Sequence, residues 1–420
     1  MVSFFLIPKF VVLYTIIFNF DVRYKKILKN FSINGKKTEI KVLTLWWHSV
    51  SQFINEFWTS KQRQSSSLHE ISYRACFKAE LPNFFITSLT SEWDVVYDPF
   101  SWRWTTAIEA GLLWRNIIVN DINPLTKILT YPRFFIPDEN EIELRLNNIP
   151  SDDVIIPDID LSMFYHEDTL QEILRLKRQF LRDNPDNIDN WIRMVATSRL
   201  TWHSKWYFSV YTLPPNQAVT QKRQIEINKR LNQIPEYRNT KDIILKKSKT
   251  LKKDVTPEII NKLKRVWKKG LFLNKNARDT PEIKDNSVSL LVTSPPFLDV
   301  INYAQDNWLR CWFNWIDAQE IWKHITTSKT LEDWCDFMQK CFHEFFRIMK
   351  VWWKVAFEVW EVKHWTINLD EYIVLIWINE WFKCEWIMVN DQEFTKTANI
   401  WWVSNNNKWT NTNRIVLFSK

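Results

Sequence analysis

One stretch whose residues could do chemistry runs from Asp98 to Thr106 and reads Asp-Pro-Phe-Ser-Trp-Arg-Trp-Thr-Thr. It joins a predicted buried strand, Asp94 to Asp98, to a predicted helix from Thr105 to Leu113. Such a turn presents unpaired backbone N–H groups at a helix N-terminus, provided that small residues let a ligand approach closely. A second predicted strand ends in Asp121, whose carboxylate could meet the ribose of a nucleotide. The pattern predicts a nucleotide-type site; the alternative is a tight turn with a capping aspartate.

A second stretch, Thr293-Ser-Pro-Pro-Phe297, follows a predicted strand from Ser287 to Val292. Two consecutive prolines fix φ and remove backbone donors, so carbonyl oxygens stay available as acceptors. A hydroxyl, such a carbonyl and an aromatic ring could together bind a planar base that bears an amino group. The alternative is an ordinary proline turn that ends a strand.

The composition contains 3 glycines and 26 tryptophans among 420 residues, whereas average usage predicts roughly 29 glycines. Some bacterial lineages read the UGA codon as glycine, and a translation that assigns UGA to tryptophan would exchange the two residues. We hypothesise that about 20 tryptophans stand for glycine, which would restore an ordinary glycine frequency. The alternative is a genuinely tryptophan-rich protein.

Local context separates the two kinds of position. Several tryptophans stand where a tight turn or a positive φ is expected, namely Trp102, Trp104, Trp315, Trp352, Trp353, Trp381 and Trp409. Others lie in apolar or helical patterns and are predicted to be genuine, namely Trp58, Trp191, Trp308, Trp312, Trp334 and Trp401.

The elements that must position these motifs alternate between strand and helix. Residues 94–121 predict a βαβ unit, which is typical of an α/β protein with a doubly wound sheet. The alternation stops in residues 131–269, which predict a mostly helical insertion, and it resumes at Leu271. Residues 51–58 have apolar spacing that predicts a helix. We assign 1–42 to an N-terminal extension, and 43–130 with 270–420 to one catalytic domain.

Charge and cysteine content indicate the kind of partner and the cellular compartment. Lys and Arg number 56 against 48 Asp and Glu, a net charge of +8 that suits a polyanionic partner, although a solvated lysine-rich surface would give the same balance. The five cysteines have no CxxC spacing, so neither a zinc site nor a disulfide framework is predicted, and a reducing cytoplasm is expected. Pro8 and Lys9 interrupt the apolar first twenty residues, so no membrane anchor is expected.

With glycine at positions 102 and 104, the first stretch becomes DPFSGRGTT. Together with Asn120-Asp-Ile-Asn-Pro124 and TSPPF, it resembles the amino-group DNA methyltransferases, which use S-adenosylmethionine to methylate cytosine N4 or adenine N6. The segment from His69 to Lys78 resembles the one that precedes the glycine loop in this family. The resemblance covers about residues 43–420 and implies the Rossmann-like sheet of class I methyltransferases.

The resemblance implies roles for individual residues. In the family, the positions that bind the cofactor match Phe77, Lys78, Asp98, Pro99, Phe100, Trp102, Trp104, Thr105, Asp121 and Asn276 of this chain. Asp121 would hold the ribose, and Asn276 stands where an acidic contact to the adenine ring is expected. The catalytic motif matches Ser294, Pro295, Pro296 and Phe297. The serine hydroxyl and the Pro295 carbonyl would accept hydrogen bonds from the target amino group, and Phe297 would stack on the flipped base. No metal is implied.

The implied partner is double-stranded DNA with a flipped base, with a restriction endonuclease as a companion protein. Residues 131–269 are the candidate target-recognition region, and serine at the first motif position favours cytosine N4. One alternative is an RNA base methyltransferase with a similar loop. Another is a DNA-binding protein on an inactive methyltransferase fold, which real tryptophans at 102 and 104 would favour.

Overall fold

A computed structural model describes residues 25–33, 35–58, 66–71, 78–151, 153–180, 185–202, 204–212, 218–296, 303–324, 330–359, 361–362, 367–391 and 412–420. The chain forms two compact units. The first unit combines residues 1–63, 278–295 and 330–420, and the second combines residues 64–277 and 296–329.

The described strands, in chain order, are β1 (Ser32–Ile33), β2 (Lys36–Lys37), β3 (Glu39–Leu45), β4 (His48–Asn55), β5 (Val95–Asp98), β6 (Asn116–Asn120), β7 (Leu271–Leu273), β8 (Val288–Thr293), β9 (Met349–Val359), β10 (Glu361–Val362), β11 (Ile367–Asn368), β12 (Lys383–Asp391) and β13 (Thr412–Ser419).

The described helices of one turn and a half or more are α1 (Glu80–Leu89), α2 (Thr105–Leu112), α3 (Leu125–Thr130), α4 (Glu139–Asn147), α5 (Glu167–Gln179), α6 (Asn187–Arg199), α7 (Gln221–Leu231), α8 (Thr240–Leu251), α9 (Pro257–Lys268), α10 (Tyr303–Phe313), α11 (Ala318–His324), α12 (Leu331–Ile348) and α13 (Leu369–Asn379). Single 3₁₀ turns occur at Ser67–His69 and Tyr131–Phe134, and residues 25–30 are also helical.

The second unit contains three parallel strands in the order β5-β6-β7. Val95 pairs with Asn116 and Ile118 pairs with Leu271, so all three strands run in the same direction. Helix α2 connects β5 to β6, which confirms the predicted βαβ unit. Apolar side chains such as Val96 and Ile117 are buried, because a parallel strand of an α/β protein is covered on both faces.

In the first unit six strands of one sheet lie in the order β3-β4-β12-β13-β9-β8, and β1-β2 and β10-β11 form two separate antiparallel pairs. Strand β4 is parallel to β12, and β8 is parallel to β9, whereas β13 runs antiparallel to both of its neighbours. Every residue of β8 is buried. Phe342 of α12 packs edge-on against Phe357 of β9 at 5.2 Å between ring centroids. Both units therefore combine sheets with helices, which confirms the predicted α/β class and is consistent with a Rossmann-like methyltransferase fold.

The prediction of a helix in residues 51–58 is wrong, because His48–Asn55 forms β4. Strands β3 and β4 form a hairpin in which Leu45 pairs with His48, so Trp46 and Trp47 make a two-residue turn. Trp46 has a φ of 55°. Such a turn ordinarily contains glycine or asparagine, and two tryptophans therefore concealed the signal for a hairpin.

Residues 131–269 contain α4 to α9, as the charge-rich helical pattern predicts. Trp191 of α6 is fully buried there and donates its indole N–H to Ser248 of α8 at 3.0 Å. Whether this region recognises a target stays a prediction.

None of the helices in the described ranges is long and apolar enough to cross a membrane. The apolar first twenty residues lie outside those ranges.

Candidate functional site

Positive φ values single out a group of tryptophans. Among the residues that the structure describes, ten residues other than glycine have a positive φ, and eight of them are tryptophan; the other two are Asn232 and Asn286. The eight are Trp46, Trp93, Trp102, Trp104, Trp114, Trp315, Trp352 and Trp381. A residue with a Cβ in this conformation costs about 1–2 kcal/mol, so eight of them would cost roughly 8–16 kcal/mol, which equals the whole stability of an ordinary protein. This cost favours glycine at these positions.

The sequence hypothesis and the backbone agree at most of the positions that can be compared. Trp102, Trp104, Trp315, Trp352 and Trp381 were suspected from sequence context, and all five have positive φ. Trp353 lies in β9 without a positive φ, and Trp409 lies outside the described residues. The tryptophans predicted to be genuine do not occur in the positive-φ group, although Trp401 lies outside the described residues.

Backbone and side-chain hydrogen bonds together hold the loop between β5 and α2. The buried Asp98 accepts the Phe100 N–H at Oδ1 (3.2 Å), and its carbonyl accepts the Ser101 hydroxyl (2.7 Å). The Ser101 N–H bonds to the Asn120 carbonyl at 3.0 Å, and the Trp104 N–H bonds to the Ser101 carbonyl. Pro99 and Phe100 are buried within this turn. Asp98 therefore stabilises the loop through both its carboxylate and its backbone carbonyl.

Asp121 ties this loop to the next one. One carboxylate oxygen accepts the Trp102 N–H at 2.8 Å, and the other accepts the Asn123 N–H at 2.8 Å. Burial raises the pKa of Asp121 to about 6, and the hydrogen bonds from these N–H groups and from Thr126 oppose that rise. The carboxylate has room for about four acceptor interactions, so it could still accept a ligand hydroxyl.

A third loop, after β7, joins the same edge of the sheet. The Asn120 side chain donates to the Lys275 carbonyl at 2.9 Å and accepts the Lys275 N–H at 2.9 Å. Asn274 donates to the Asp121 carbonyl at 2.6 Å. Asn276, which is half-buried, therefore lies beside the loops after β5 and β6. The carboxyl edge of a parallel sheet is where α/β proteins bind ligands.

Positions 102 and 104 decide whether a cofactor fits this edge. The Trp104 indole is buried, stacks on Phe272 at 5.0 Å between ring centroids, and leaves its Nε1 without a partner among the described residues. Trp104 has a φ of 63° and precedes α2, which begins at the buried Thr105 with no side-chain cap. Glycine at 102 and 104 would keep this backbone, remove two indoles and let a ligand approach the turn and the N-terminus of α2 closely. With glycine, the residues fit a nucleotide-type cofactor.

Sequence reasoning missed a buried pair that supports this region. His69 Nε2 lies 2.6 Å from Glu109 Oε1 of α2, and Asn83 donates to the other Glu109 oxygen at 2.8 Å. Burial lowers the pKa of His69 despite the neighbouring carboxylate. A carboxylate inside the apolar helix pattern of residues 105–112 was the available signal. Lys78 is half-buried before α1, and Phe77 lies outside the described residues.

The TSPPF motif lies at the end of β8. Ser294 and Pro295 are buried, Pro296 is half-buried, and Phe297 lies outside the described residues. The Ser294 side chain forms a hydrogen bond with Glu358 of β9, which also accepts the Asn413 amide at 2.6 Å. Burial raises the pKa of Glu358 to about 7. Sequence reasoning did not single out Glu358, although a carboxylate within the apolar strand of residues 355–359 was a signal.

Comparison with known proteins gives one distant relative. No family model matches the chain. The chain is 24% identical to the Type II methyltransferase M.BsoBI of Geobacillus stearothermophilus, over 70% of its own length and 63% of the relative. It therefore spans less than two thirds of that protein. This distant similarity to a type II methyltransferase agrees with the family that the motifs resemble.

Proposed function

We propose that this protein is a DNA methyltransferase that transfers a methyl group from S-adenosylmethionine to the exocyclic amino group of cytosine (N4) or adenine (N6). The observation that carries the proposal is the loop after β5, where positions 102 and 104 have positive φ and the Trp102 N–H bonds to Asp121. The distant similarity to a type II methyltransferase supports the same chemistry.

In this proposal the natural protein has glycine at positions 102 and 104. The backbone there, with Phe100, Thr105 and Lys78, would bind the methionine part of the cofactor. Asp121 would accept a ribose hydroxyl, and Asn276 would contact the adenine ring. When bound, S-adenosylmethionine supplies an electrophilic methyl group.

The TSPPF motif would hold the target base. The Ser294 hydroxyl and the Pro295 carbonyl would accept hydrogen bonds from the amino group, and Phe297 would stack on the flipped ring. Two acceptors fix the rotation of the amino group. The nitrogen lone pair is then aligned with the methyl group before the reaction, so that less entropy is lost in the transition state. Serine at position 294 favours cytosine N4 as the methylated position.

The partner in this proposal is double-stranded DNA, which the net charge of +8 suits. Residues 131–269 are our candidate for target recognition, and helices α8 and α9 bring several lysines to that region. A companion restriction endonuclease would follow if the chain serves a restriction-modification system, as the relative's type II designation suggests.

The first test compares two proteins. The glycine protein has glycine at the eight positive-φ positions, and the other has tryptophan at all eight. Each is incubated with S-adenosylmethionine and unmethylated mixed-sequence DNA or RNA, and the nucleosides are analysed by mass spectrometry. We expect methylcytosine or methyladenine in DNA from the glycine protein alone. Methylation of RNA alone would indicate an RNA enzyme. DNA binding without cofactor binding would indicate an inactive fold.

A second measurement tests the glycine assignment without activity. The peptide that spans residues 98–106 is sequenced by mass spectrometry from the protein made in its own host. We expect glycine at 102 and 104, because both positions have positive φ. Tryptophan at both positions would contradict the proposed cofactor site.

A further inference from the structure

Glu358 is a buried carboxylate that the recognised motifs do not include. Strands β8 and β9 are parallel, with Thr293 opposite Phe357. The next residues along the chain are Ser294, directly after β8, and Glu358 of β9, and their side chains form a hydrogen bond. Ser294 is 7% exposed and Glu358 3%. The motif serine is therefore bound to a carboxylate that is almost completely shielded from water.

A second side chain holds Glu358 from the opposite side. Strand β13 is antiparallel to β9, with Ile415 opposite Glu358. Asn413 of β13 donates its side-chain amide to Glu358 Oε1 at 2.6 Å. The carboxylate therefore lies between two neutral polar side chains, of which only the serine can both donate and accept a proton.

The charged groups on the surrounding strands are bound to other partners. Strand β8 has no charged residue. On β9 and β13 the contacts are Lys350 to Ser289 at 2.9 Å, Lys354 to Glu385 at 3.0 Å and Arg414 to Asp370 at 2.9 Å. Burial then dominates, and it raises the pKa of Glu358 to about 7.

We propose that Glu358 is a positioning residue that orients the Ser294 hydroxyl toward the target amino group and accepts the proton that the hydroxyl relays. This inference rests on the proposed methyltransferase function and adds a residue outside the TSPPF motif to it.

Methyl transfer releases one proton, which the Ser294–Glu358 pair takes up in this proposal. The amino nitrogen forms a bond to the methyl carbon with its lone pair, the carbon–sulfur bond breaks, and the bonding electrons remain on sulfur. The methylated nitrogen carries a positive charge and loses a proton to Ser294 Oγ. The serine passes its own proton to the Glu358 carboxylate, which returns it through Ser294 to water once the methylated base has left. A carboxyl group that titrates near neutral pH is suited to both transfers.

The test uses the glycine protein as parent, with Glu358→Gln and Asn413→Ala as variants. The rate of a single turnover on DNA is measured against pH, together with the dissociation constant of S-adenosylmethionine. We expect Glu358→Gln to lower the rate about 100-fold, to abolish its increase near pH 7 and to leave cofactor affinity unchanged. Asn413→Ala should move that increase to higher pH, because the lost donor stabilised the ionised carboxylate.

Glu385→Gln is the matched control, because Glu385 is a buried carboxylate of the same unit that is paired with Lys354. It should lower stability and leave the pH profile of the rate unchanged. A Glu358→Gln protein with the parent's rate and pH profile would overturn the inference.

An infrared titration separates this inference from the proposed function. The Glu358 carboxyl is assigned as the band that Glu358→Gln removes, and its pKa is measured in the parent and in Ser294→Ala. We expect a higher pKa in Ser294→Ala, since the carboxylate loses a donor. An unchanged pKa refutes the coupling even if the parent methylates DNA. A parent that transfers no methyl group, but shows the shift, refutes the proposed function and leaves the coupling established.

Discussion

Asp121, which is half-buried, and Glu358, which is 3% exposed, are two carboxylates, one in each unit, whose surroundings differ in kind. Burial raises the pKa of both, to about 6 for Asp121 and about 7 for Glu358. Asp121 accepts backbone N–H groups from two successive loops. Glu358 binds the side chains of Ser294 and Asn413.

The difference in donors suggests a difference in role. A backbone amide keeps its proton at any pH where the protein is folded, so Asp121 can fix the positions of loops but cannot relay a proton through its partners. A serine hydroxyl both donates and accepts, so Glu358 can take part in proton transfer. Two carboxylates whose pKa values are raised to a similar extent therefore need not have a similar function.

The largest expected effect that distinguishes the two carboxylates is on cofactor binding. Asp121→Ala removes the bonds that join the loops after β5 and β6. A loss of roughly 3 kcal/mol is expected for charge-assisted hydrogen bonds, which is about 100-fold in the dissociation constant of S-adenosylmethionine. Calorimetric titration of the glycine protein measures this change.

Asp186→Ala is the control for that experiment, since Asp186 also accepts two backbone N–H bonds, at 2.9 Å each, but caps helix α6. It should lower stability by about 1 kcal/mol without changing cofactor affinity. Equal affinity in Asp121→Ala and the parent would exclude Asp121 from the cofactor site.

A smaller effect concerns the pH dependence of stability. The folded-state pKa of Glu358 is raised from 4.5 to about 7, so the folded protein binds a proton more tightly than the unfolded chain. The stabilisation is complete below pH 4.5 and is lost as the pH rises through about 7, a difference of order 3 kcal/mol. Urea unfolding of the parent and Glu358→Gln between pH 5 and 8 measures it.

The parent should lose stability relative to Glu358→Gln as the pH rises. The parent should also lose stability relative to Asp121→Asn, but at lower pH, since the pKa of Asp121 is raised only to about 6. If stability depends on pH in the same way in the parent and in both variants, neither carboxylate has a raised pKa. The comparison between Asp121 and Glu358 would then lose its basis.

The smallest effect tests whether Asp121 depends only on the backbone. Here the parent is the protein with tryptophan at all eight positive-φ positions. In it, Trp102→Gly keeps the N–H that bonds to Asp121 and relieves a φ of 50°. We expect stability to rise by about 1 kcal/mol and the pKa of Asp121 to stay unchanged, measured by urea unfolding and by NMR titration.

Trp381→Gly is a matched variant for that backbone effect, because Trp381 has a φ of 68° and is 82% exposed. Trp381→Gly should raise the free energy of unfolding by the same amount as Trp102→Gly. Trp191→Gly, in contrast, removes a buried indole that bonds to Ser248 and should lower stability by about 3–5 kcal/mol. A loss of stability in Trp381→Gly would count against glycine at that position.

Local patterns allowed part of the fold to be predicted. The βαβ unit was expected at 94–121, and β5, α2 and β6 occur there with bounds within a residue or two. The alternation of apolar strand and helix is a local property, so it can be read without knowing what packs on it. The β3–β4 hairpin was missed because its turn at Trp46 and Trp47 has no residue type typical of a two-residue turn.

Only part of the candidate site could be predicted from local sequence patterns. The sequence pointed to Asp98, Asp121 and Ser294 because each lies at or just after the end of a predicted strand. It gave no reason to connect Glu358 with Ser294, or Glu109 with His69. Asn413 and Glu358 lie 55 positions apart, and such contacts depend on which strands become neighbours.

The sequence by itself therefore determined the strand and helix alternation, the two chemistry-bearing motifs and the imbalance between glycine and tryptophan. These are properties of composition and short-range spacing. Only the tertiary structure decided which tryptophans have positive φ and which partners the buried carboxylates bind. The physical reason is that backbone dihedral angles in turns, desolvation and hydrogen bonds across a sheet are set by the packing of segments that are distant in the chain.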